Sequence, residues 1–491
     1  MSDSEGDEYS FASHSVPAEL VGRALEFLAQ DVDSSDRDEL QALVKRAQTG
    51  DVAAVKDIQE RFSGPLRFGT AGIRGVIGAG ESRFNRSLVR RITYALVRHL
   101  TVSVPDASER GVVIGRDARR LSDVFQKDAA FVCGEMGVPV HWIEGPQPTP
   151  LLAFAVRHLK AAAGIMITAS HNPPDYNGYK VYWENGAQIV PPTDAEIAEE
   201  YDKAPAAKRI PYRAHTLKHA LEVPGAYLDE LRALQLVPEL DVSPVRIAYT
   251  ALHGVGQRLF VASMIRRGFR HLFPVADQGE PDGSFPTLPF PNPEEPGAMD
   301  RVISEAEAHD CDLALAHDPD ADRLGVAVRD RSGEYRLLNG NETGALLASH
   351  ILSHSKASYP LVVSTVVSSR LVQRIAAVAN ARYEDTLTGF KWIANEAMRI
   401  EKDEGREFVF GYEEALGYTV GTVVRDKDGI GAALVLAEAA AVLKAKGETL
   451  VDELEHLYER YGRYVSRQKS VTLGGEDGTR RIRDAMHRLR S

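Results

Sequence analysis

GVVIGRDARRLSDVFQKDAAFVCGEMGVPVHWI, residues 111–143, decides the fold class. A short apolar run gives way to a polar, glycine-containing loop, then to a helical stretch, then to a second apolar run. That order reads as strand, loop, helix, strand. The same grammar returns in VRIAYTALHGVGQRLFVASMIRRGFRHLFPV (245–275) and in YPLVVSTVVSSRLVQRIAAVANARYEDT (359–386). Recurrence at such long intervals predicts an α/β chain of three similarly built mixed-sheet domains around a central cleft, not a short-period solenoid.

Length agrees: 491 residues correspond to roughly three domains. Hydrophobic residues make up 44% and charged residues 26%, which excludes a disordered or fibrous chain. The 58 basic and 70 acidic side chains leave a net charge of −12. No Lys/Arg block offsets it, so nucleic-acid and polybasic membrane binding are disfavoured. Two cysteines, Cys133 and Cys311, form no disulfide framework and suit a reducing cytoplasm. No apolar run approaches the ~18 residues of a membrane span. The expected layout is an acidic, disordered tail at 1–16, a first domain at 17–205, a second at 206–330, a third at 331–460 and an incomplete fourth at 461–491. AAKRIPYRAHT (206–216) reads as an exposed connector and the proline-rich EPDGSFPTLPFPNPEEP (280–296) as a surface loop. After Tyr461 the sequence offers one strand-like run, a glycine turn (GGEDG, 474–478) and one helix, too little for an independent core.

Three motifs carry chemistry. In AAAGIMITASHNPPDYNGYKVYWENGAQIV (161–190) an apolar run ends at a small-residue loop holding Ser170. A strand alternating over Tyr179–Glu184 follows, and Asn185-Gly186 reads as a two-residue type I′ turn. Ser170 therefore lies just past a strand's C-terminal end, where open α/β sheets bind ligands, although a capping serine fits the spacing too. A serine-protease pair with the adjacent His171 is excluded by its spacing. In CDLALAHDPDADRLGVAV (311–328), Asp318, Asp320 and Asp322 crowd into five residues and call for a hard cation. Oxygen-only donors favour Mg²⁺, and an EF-hand fails by register; a solvated acidic turn is the bland alternative. In EFVFGYEEALGYTVG (407–421), Glu413 and Glu414 end a strand, as acceptors for sugar hydroxyls or as solvated loop acids. RFGTAGIRG (67–75), GRDARR (115–120) and TGFKWI (388–393) place Arg or Lys beside glycine, which suits phosphate contacts. No complete nucleotide-binding glycine motif is present.

TASHNP around Ser170, DPDADR at 318–323 and YEEALG at 412–417, in that order, resemble the serine, metal and sugar loops of the α-D-phosphohexomutase family, which includes phosphoglucomutases and phosphomannomutases. VRDKDG (424–429) agrees with that resemblance. It covers about residues 60–465 and is similar to a bacterial branch that also relates to phosphopentomutases. It implies a phosphoserine at Ser170, with Mg²⁺ held by that phosphate and by Asp318, Asp320 and Asp322. It further implies a sugar 1,6-bisphosphate intermediate and a phosphosugar substrate. Lys180 and Arg74 would assist proton movement and phosphate charge, and Arg323 would support the metal loop. Glu413 and Glu414 would orient sugar hydroxyls, with His171, Thr388, Gly389 and Lys391 contacting substrate. Glucose and mannose phosphates are the expected substrates, pentose phosphate the alternative, in a monomer or homodimer. Two departures stand out: Ala415 replaces a common Ser, and no Arg-Ser-Gly-Thr phosphate clamp precedes Ser491. Weak substrate binding is the expectation, and a non-catalytic sugar-phosphate-binding relative is a further alternative. A dehalogenase-type phosphatase is disfavoured because Asp322 stands where such enzymes carry Thr or Val.

Overall fold

The computed structural model describes residues 17–67, 72–466 and 475–490. Three sheets carry the chain. The first orders its strands β1-β5-β4-β2-β3-β6: β1 is Ile73–Val76, β2 Val112–Arg116, β3 Val140–Trp142, β4 Ala163–Ile167, β5 Tyr176–Trp183 and β6 Lys218–His219. The second, β11-β10-β9-β7-β8, contains β7 (Arg246–Thr250), β8 (His271–Pro274), β9 (Leu313–Ala316), β10 (Gly325–Arg329) and β11 (Tyr335–Leu338). The third, β13-β12-β14-β15, contains β12 (Pro360–Thr365), β13 (Arg382–Thr386), β14 (Glu407–Glu413) and β15 (Gly417–Val420).

One pattern underlies all three. The leading strand pairs in parallel with the next two, and the last of these turns back into an antiparallel partner. β2 pairs β3 and β4 in parallel and β4 meets β5 antiparallel. β7, β8, β9 and β10 repeat this arrangement, as do β12, β13, β14 and β15. Each stretch read from sequence as strand, loop, helix, strand is the leading parallel pair with its crossover helix: Ser122–Glu135, Gln257–Arg267 and Leu371–Val378. Helices on the faces bury the central strands on both sides, so β4, β9 and β12 are continuously apolar or small. The loops after β4, β9 and β14 therefore leave equivalent ends of equivalent strands. These three loops carry the serine, the aspartates and the glutamates.

Ahead of the first sheet, helices Ala18–Gln30, Ser34–Gln48 and Val52–Arg61 close on their own core of Leu40, Ile58 and Phe62. Asp33 and Asp51 cap the second and third, accepting from Ser35 N at 2.8 Å and Ala54 N at 3.1 Å. Among the described residues no helix is long and apolar enough to cross a membrane.

Several local expectations change. β5 is buried on both faces instead of alternating. The Asn185-Gly186 turn is a three-residue loop: Gly186 N donates to Trp183 O, and Gly186 alone is left-handed, at φ 79°. A type I′ turn needs two such residues. β6 joins the first sheet and β11 the second, which moves the boundaries at 205/206 and 330/331 by one strand each. The connector 206–216 is partly packed, with Ala207 and Ile210 buried and Tyr212 beneath the Arg90 guanidinium at 3.5 Å. The proline-rich stretch has neither helix nor strand, yet Phe285 and Asn292 are buried and line its inner side. The turn expected at 474–478 is helical from Gly475, and the strand-like run before it and the 1–16 tail lie outside the described residues.

The buried helix Gly429–Lys444 is capped by Asp428, whose Oδ1 accepts from Ile430 N (3.1 Å), Gly431 N (2.9 Å) and the Tyr227 hydroxyl (2.8 Å). Burial pushes this carboxyl up to about 6. A raised native value means the folded chain holds a proton that the unfolded chain has already released. The associated stability is present at low pH and is lost as pH rises through about 6. Asp428→Asn keeps the acceptor without the charge. From pH ~4 to ~7 the variant should therefore gain on the wild type in thermal melts, by an amount on the order of 3 kcal/mol. A pH-independent difference would contradict this account.

Candidate active site

β4 runs into Thr168-Ala169-Ser170, and Ser170 is held in the left-handed region at φ 54°. A buried network imposes that conformation. Thr168 Oγ1 accepts from Ser170 N at 2.9 Å and donates to Asp117 Oδ2 at 2.7 Å. Asp117, just past β2, also accepts from Ser122 Oγ and Arg119 N, each at 2.9 Å. Arg119 then donates to four carbonyls of the serine loop and its exit: Ser170 at 2.5 Å, Asn172 at 2.6 Å, Pro173 at 2.8 Å and Tyr176 at 3.1 Å. The GRDARR arginine expected to touch phosphate is thus a backbone brace in its Arg119 position.

The loop after β9 brings Asp318, Asp320 and Asp322 together, all buried, with ligand oxygens within 4.8 Å of one another. Asp318 Oδ2 accepts from Ser170 Oγ at 2.9 Å, joining the first two units. Asp320 Oδ2 accepts from Lys180 Nζ at 2.7 Å and Thr149 Oγ1 at 2.6 Å; Asp322 Oδ2 lies 3.0 Å from Lys180 Nζ and 3.4 Å from Lys427 Nζ. Burial, then the charges of Asp320 and Asp322, push Asp318 well above the carboxylate range. Burial works the same way on Asp320, but the charge and hydrogen bond of Lys180 outweigh it and hold that carboxyl low. Asp320 Oδ1 and Asp322 Oδ1 are buried without a donor among the described residues. Two orphaned carboxylate oxygens beside a third carboxylate form a hard, all-oxygen donor set that fits a divalent cation such as Mg²⁺. His317 stands outside this set, with its Nδ1 facing the Tyr249 hydroxyl at 2.9 Å.

The loop after β14 supplies Glu413 and Glu414. Burial raises Glu413, opposed by Lys427 and Arg323. Glu414 accepts from Thr365 Oγ1 and Ser368 Oγ, each at 3.1 Å. Beside it opens a cavity of about 700 Å³ whose lining includes Glu294, Asn341, Thr388, Glu414 and Ala415. Gly389, at φ 119°, starts the helix Phe390–Glu404 below Thr388. Lys391 is buried, with Nζ 3.8 Å from Asp194 of the first unit.

The remaining cations face the aspartates. Arg74, on β1, donates to Asn172 Oδ1 at 3.0 Å, and Arg323 pairs with Glu294 at 3.3 Å. Each keeps a buried, unpartnered Nε–H, spare donor capacity suited to an anion. Burial works against the charge on Lys180, but Asp320 and Asp322 outweigh it, so Nζ stays protonated and is a charge carrier more readily than a base. His171 Nδ1 lies 3.2 Å from Ser170 Oγ, and burial followed by Arg323 and Arg74 lowers its imidazole to about 2, leaving the ring neutral. Sequence reasoning names all these residues but misses Lys427, Thr149, Glu294 and the Asp117–Arg119 brace. Lys427 lies within VRDKDG (424–429), a stretch that in sequence carries no role beyond its agreement with the family pattern.

Comparisons with known proteins follow the same division of the chain. Profiles of phosphoglucomutase/phosphomannomutase α/β/α domains I, II and III match residues 65–208, 225–333 and 339–461. A Saccharomyces cerevisiae phosphoribomutase is 37% identical over 483 residues, covering 91% of this chain and 76% of the yeast protein. A Staphylococcus aureus phosphoglucomutase is 36% identical over 444 residues, covering 89% and 79%. A crystal structure from Thermus thermophilus, named as a phosphomannomutase, superposes with a TM-score of 0.66 at 30% identity, covering 80% of this chain and 84% of that one.

The orphaned oxygens give a direct test. Mn²⁺ titrated into chelator-stripped protein and followed by electron paramagnetic resonance should bind. Asp322→Asn should weaken that binding at least about tenfold. Unchanged affinity would place the ion elsewhere.

Proposed function

The chain belongs to the phosphoglucomutase/phosphomannomutase family, a phosphosugar mutase and hence an isomerase, and we propose that it interconverts the 1- and 6-phosphates of glucose and/or mannose through a phosphoserine at Ser170. The observation that carries this reading is the 2.9 Å contact between Ser170 Oγ and Asp318, made across two units beside two orphaned carboxylate oxygens.

The chemistry balances as two phosphoryl transfers. A sugar hydroxyl forms a bond to the phosphorus of phosphoserine while the Ser170 Oγ–P bond breaks, and the hydroxyl proton ends on the departing Ser170 Oγ. The product is a sugar 1,6-bisphosphate. After it turns over, Ser170 Oγ bonds to the other phosphorus while that sugar O–P bond breaks, and the Ser170 proton ends on the freed sugar oxygen. Asp318, Asp320 and Asp322 would hold a divalent cation, which would supply charge neutralisation at the phosphoryl oxygens. Lys180, held charged by Asp320 and Asp322, stabilises the same negative charge from the first unit. The spare N–H groups of Arg74 and Arg323 serve the phosphate, and Glu413 and Glu414 accept from sugar hydroxyls, with Thr388 on the same cavity. Thr168, Asp117 and Arg119 keep Ser170 aimed, which is most of what phosphoryl transfer asks of a protein. The names phosphoribomutase and, for a mouse relative 36% identical, phosphopentomutase favour a second reading in which the substrate is a pentose phosphate.

Assays on glucose, mannose and ribose 1-phosphates separate the two readings by kcat/KM. Ser170→Ala should abolish turnover on whichever sugar is used and remove the phosphate that mass spectrometry finds on the wild-type peptide. Residual activity in that variant would remove the serine from its role. Arg119→Lys should lower kcat on the order of 10²-fold with little change in KM, since it displaces the nucleophile and not the sugar. An equal rise in KM would count against a positioning role.

A further inference from the structure

A second cavity, of about 330 Å³, lies between the N-terminal helices and the first unit and shares no lining residue with the cavity beside Glu414. Phe27, Pro65 and Leu88 give it an apolar wall, and Asp31 and Arg91 stand among its polar groups. Asp31 is 1% exposed. Its Oδ1 accepts from Ser87 Oγ at 2.6 Å, whereas Oδ2 is buried with no donor among the described residues. Arg37 reaches the Asp31 carbonyl at 2.9 Å and not its carboxylate. Arg91 lies 4.5 Å over the Tyr201 ring and donates from its terminal nitrogens to the Tyr201 hydroxyl and carbonyl, each at 3.3 Å, and to Ala204 O at 3.5 Å, while Nε–H is buried without an acceptor among the described residues. The other cations on the wall are committed: Arg23 to Glu81, and Arg83 to Asp57 at 3.3 Å.

Asp31 and Arg91 both line this cavity, and each holds one buried polar atom without a partner among the described residues, an acceptor on the first and a donor on the second, which together fit a ligand carrying the complementary pair. We propose that this cavity binds a small zwitterion of the α-amino-acid class, with its ammonium on Asp31 Oδ2, its carboxylate on Arg91 Nε–H and an apolar side chain against Phe27 and Leu88. The cavity volume is within the range of small-molecule sites and sets the size limit on that side chain.

Calorimetric titration of the full chain with L-phenylalanine, phenethylamine and 3-phenylpropionate tests it, because the last two each carry one half of the recognition. Saturable binding of L-phenylalanine at millimolar concentration or below is expected, at least about tenfold tighter than either half-molecule. Asp31→Asn keeps the Ser87 contact and removes the charge. It should weaken L-phenylalanine and phenethylamine about tenfold and leave 3-phenylpropionate unmoved. Far-UV circular dichroism checks that the variant is folded; if it is not, the wild-type ranking of the three probes decides alone. Absence of saturable binding by L-phenylalanine, equal binding of zwitterion and acid, or affinities indifferent to Asp31→Asn would each overturn the proposal.

Discussion

Lys180 Nζ sits 2.7 Å from Asp320 and 3.0 Å from Asp322, and the rest of the molecule is arranged around that buried contact. Three carboxylates removed from water within 4.8 Å of one another are untenable alone, since desolvation and mutual repulsion both oppose ionisation. The compensation comes from every unit: Arg74 and Lys180 from the first, Arg323 from the second and Lys427 from the third. Lys180 holds Asp320 low, Lys427 and Arg323 join it in lowering Asp322 against burial and the charge of Asp320, and Asp318 stays well above the carboxylate range. The site is therefore also the joint between units, and backbone contacts reinforce it. Thr149 N donates to Asp320 O at 2.9 Å, and Leu324 N to Leu416 O at 3.0 Å.

Topology explains how three distant segments deliver matching loops. Each loop leaves the third strand of its unit, where a parallel strand must turn directly into an antiparallel neighbour. Each also contains one non-glycine residue in the left-handed region: Ser170 at φ 54°, Ala321 at φ 55° and Leu416 at φ 59°. Such residues persist only where surrounding contacts over-determine them. The chain has thus placed different chemistry at three equivalent strand ends: a hydroxyl, a carboxylate cluster and a pair of glutamates.

The parts legible in the sequence were those written locally. Apolar runs beside helical stretches announced the crossover units, and short motifs announced Ser170, Asp318, Asp320, Asp322, Glu413 and Glu414. What stayed hidden depends on tertiary approach. Nothing around Thr149 shows that its hydroxyl will meet Asp320, 171 residues away. The proline-rich 280–296 stretch reads as solvent-facing because proline excludes helix and central strand, yet Glu294 reaches Arg323 and Phe290 approaches His171 at 6.1 Å. Asn185-Gly186 announced a turn correctly but not its length, because loop length depends on strand register and not on the dipeptide.

Arginine chemistry shows most plainly why sequence assigns residue types more readily than roles. GRDARR and RFGTAGIRG look alike as Arg-and-glycine segments, and both read as phosphate contacts. Arg119 commits both terminal nitrogens to four carbonyls around Ser170, with Asp117 as its counter-charge at 3.2 Å. Arg74 engages Asn172 and leaves Nε–H buried without an acceptor beside the aspartates. Both keep a buried Nε–H with no partner among the described residues, and they differ in their terminal nitrogens: those of Arg119 brace four backbone carbonyls, whereas Arg74 meets one side-chain amide and lies beside the aspartates. That difference is set by what the folded chain brings within reach of each guanidinium and not by the residues beside it in sequence.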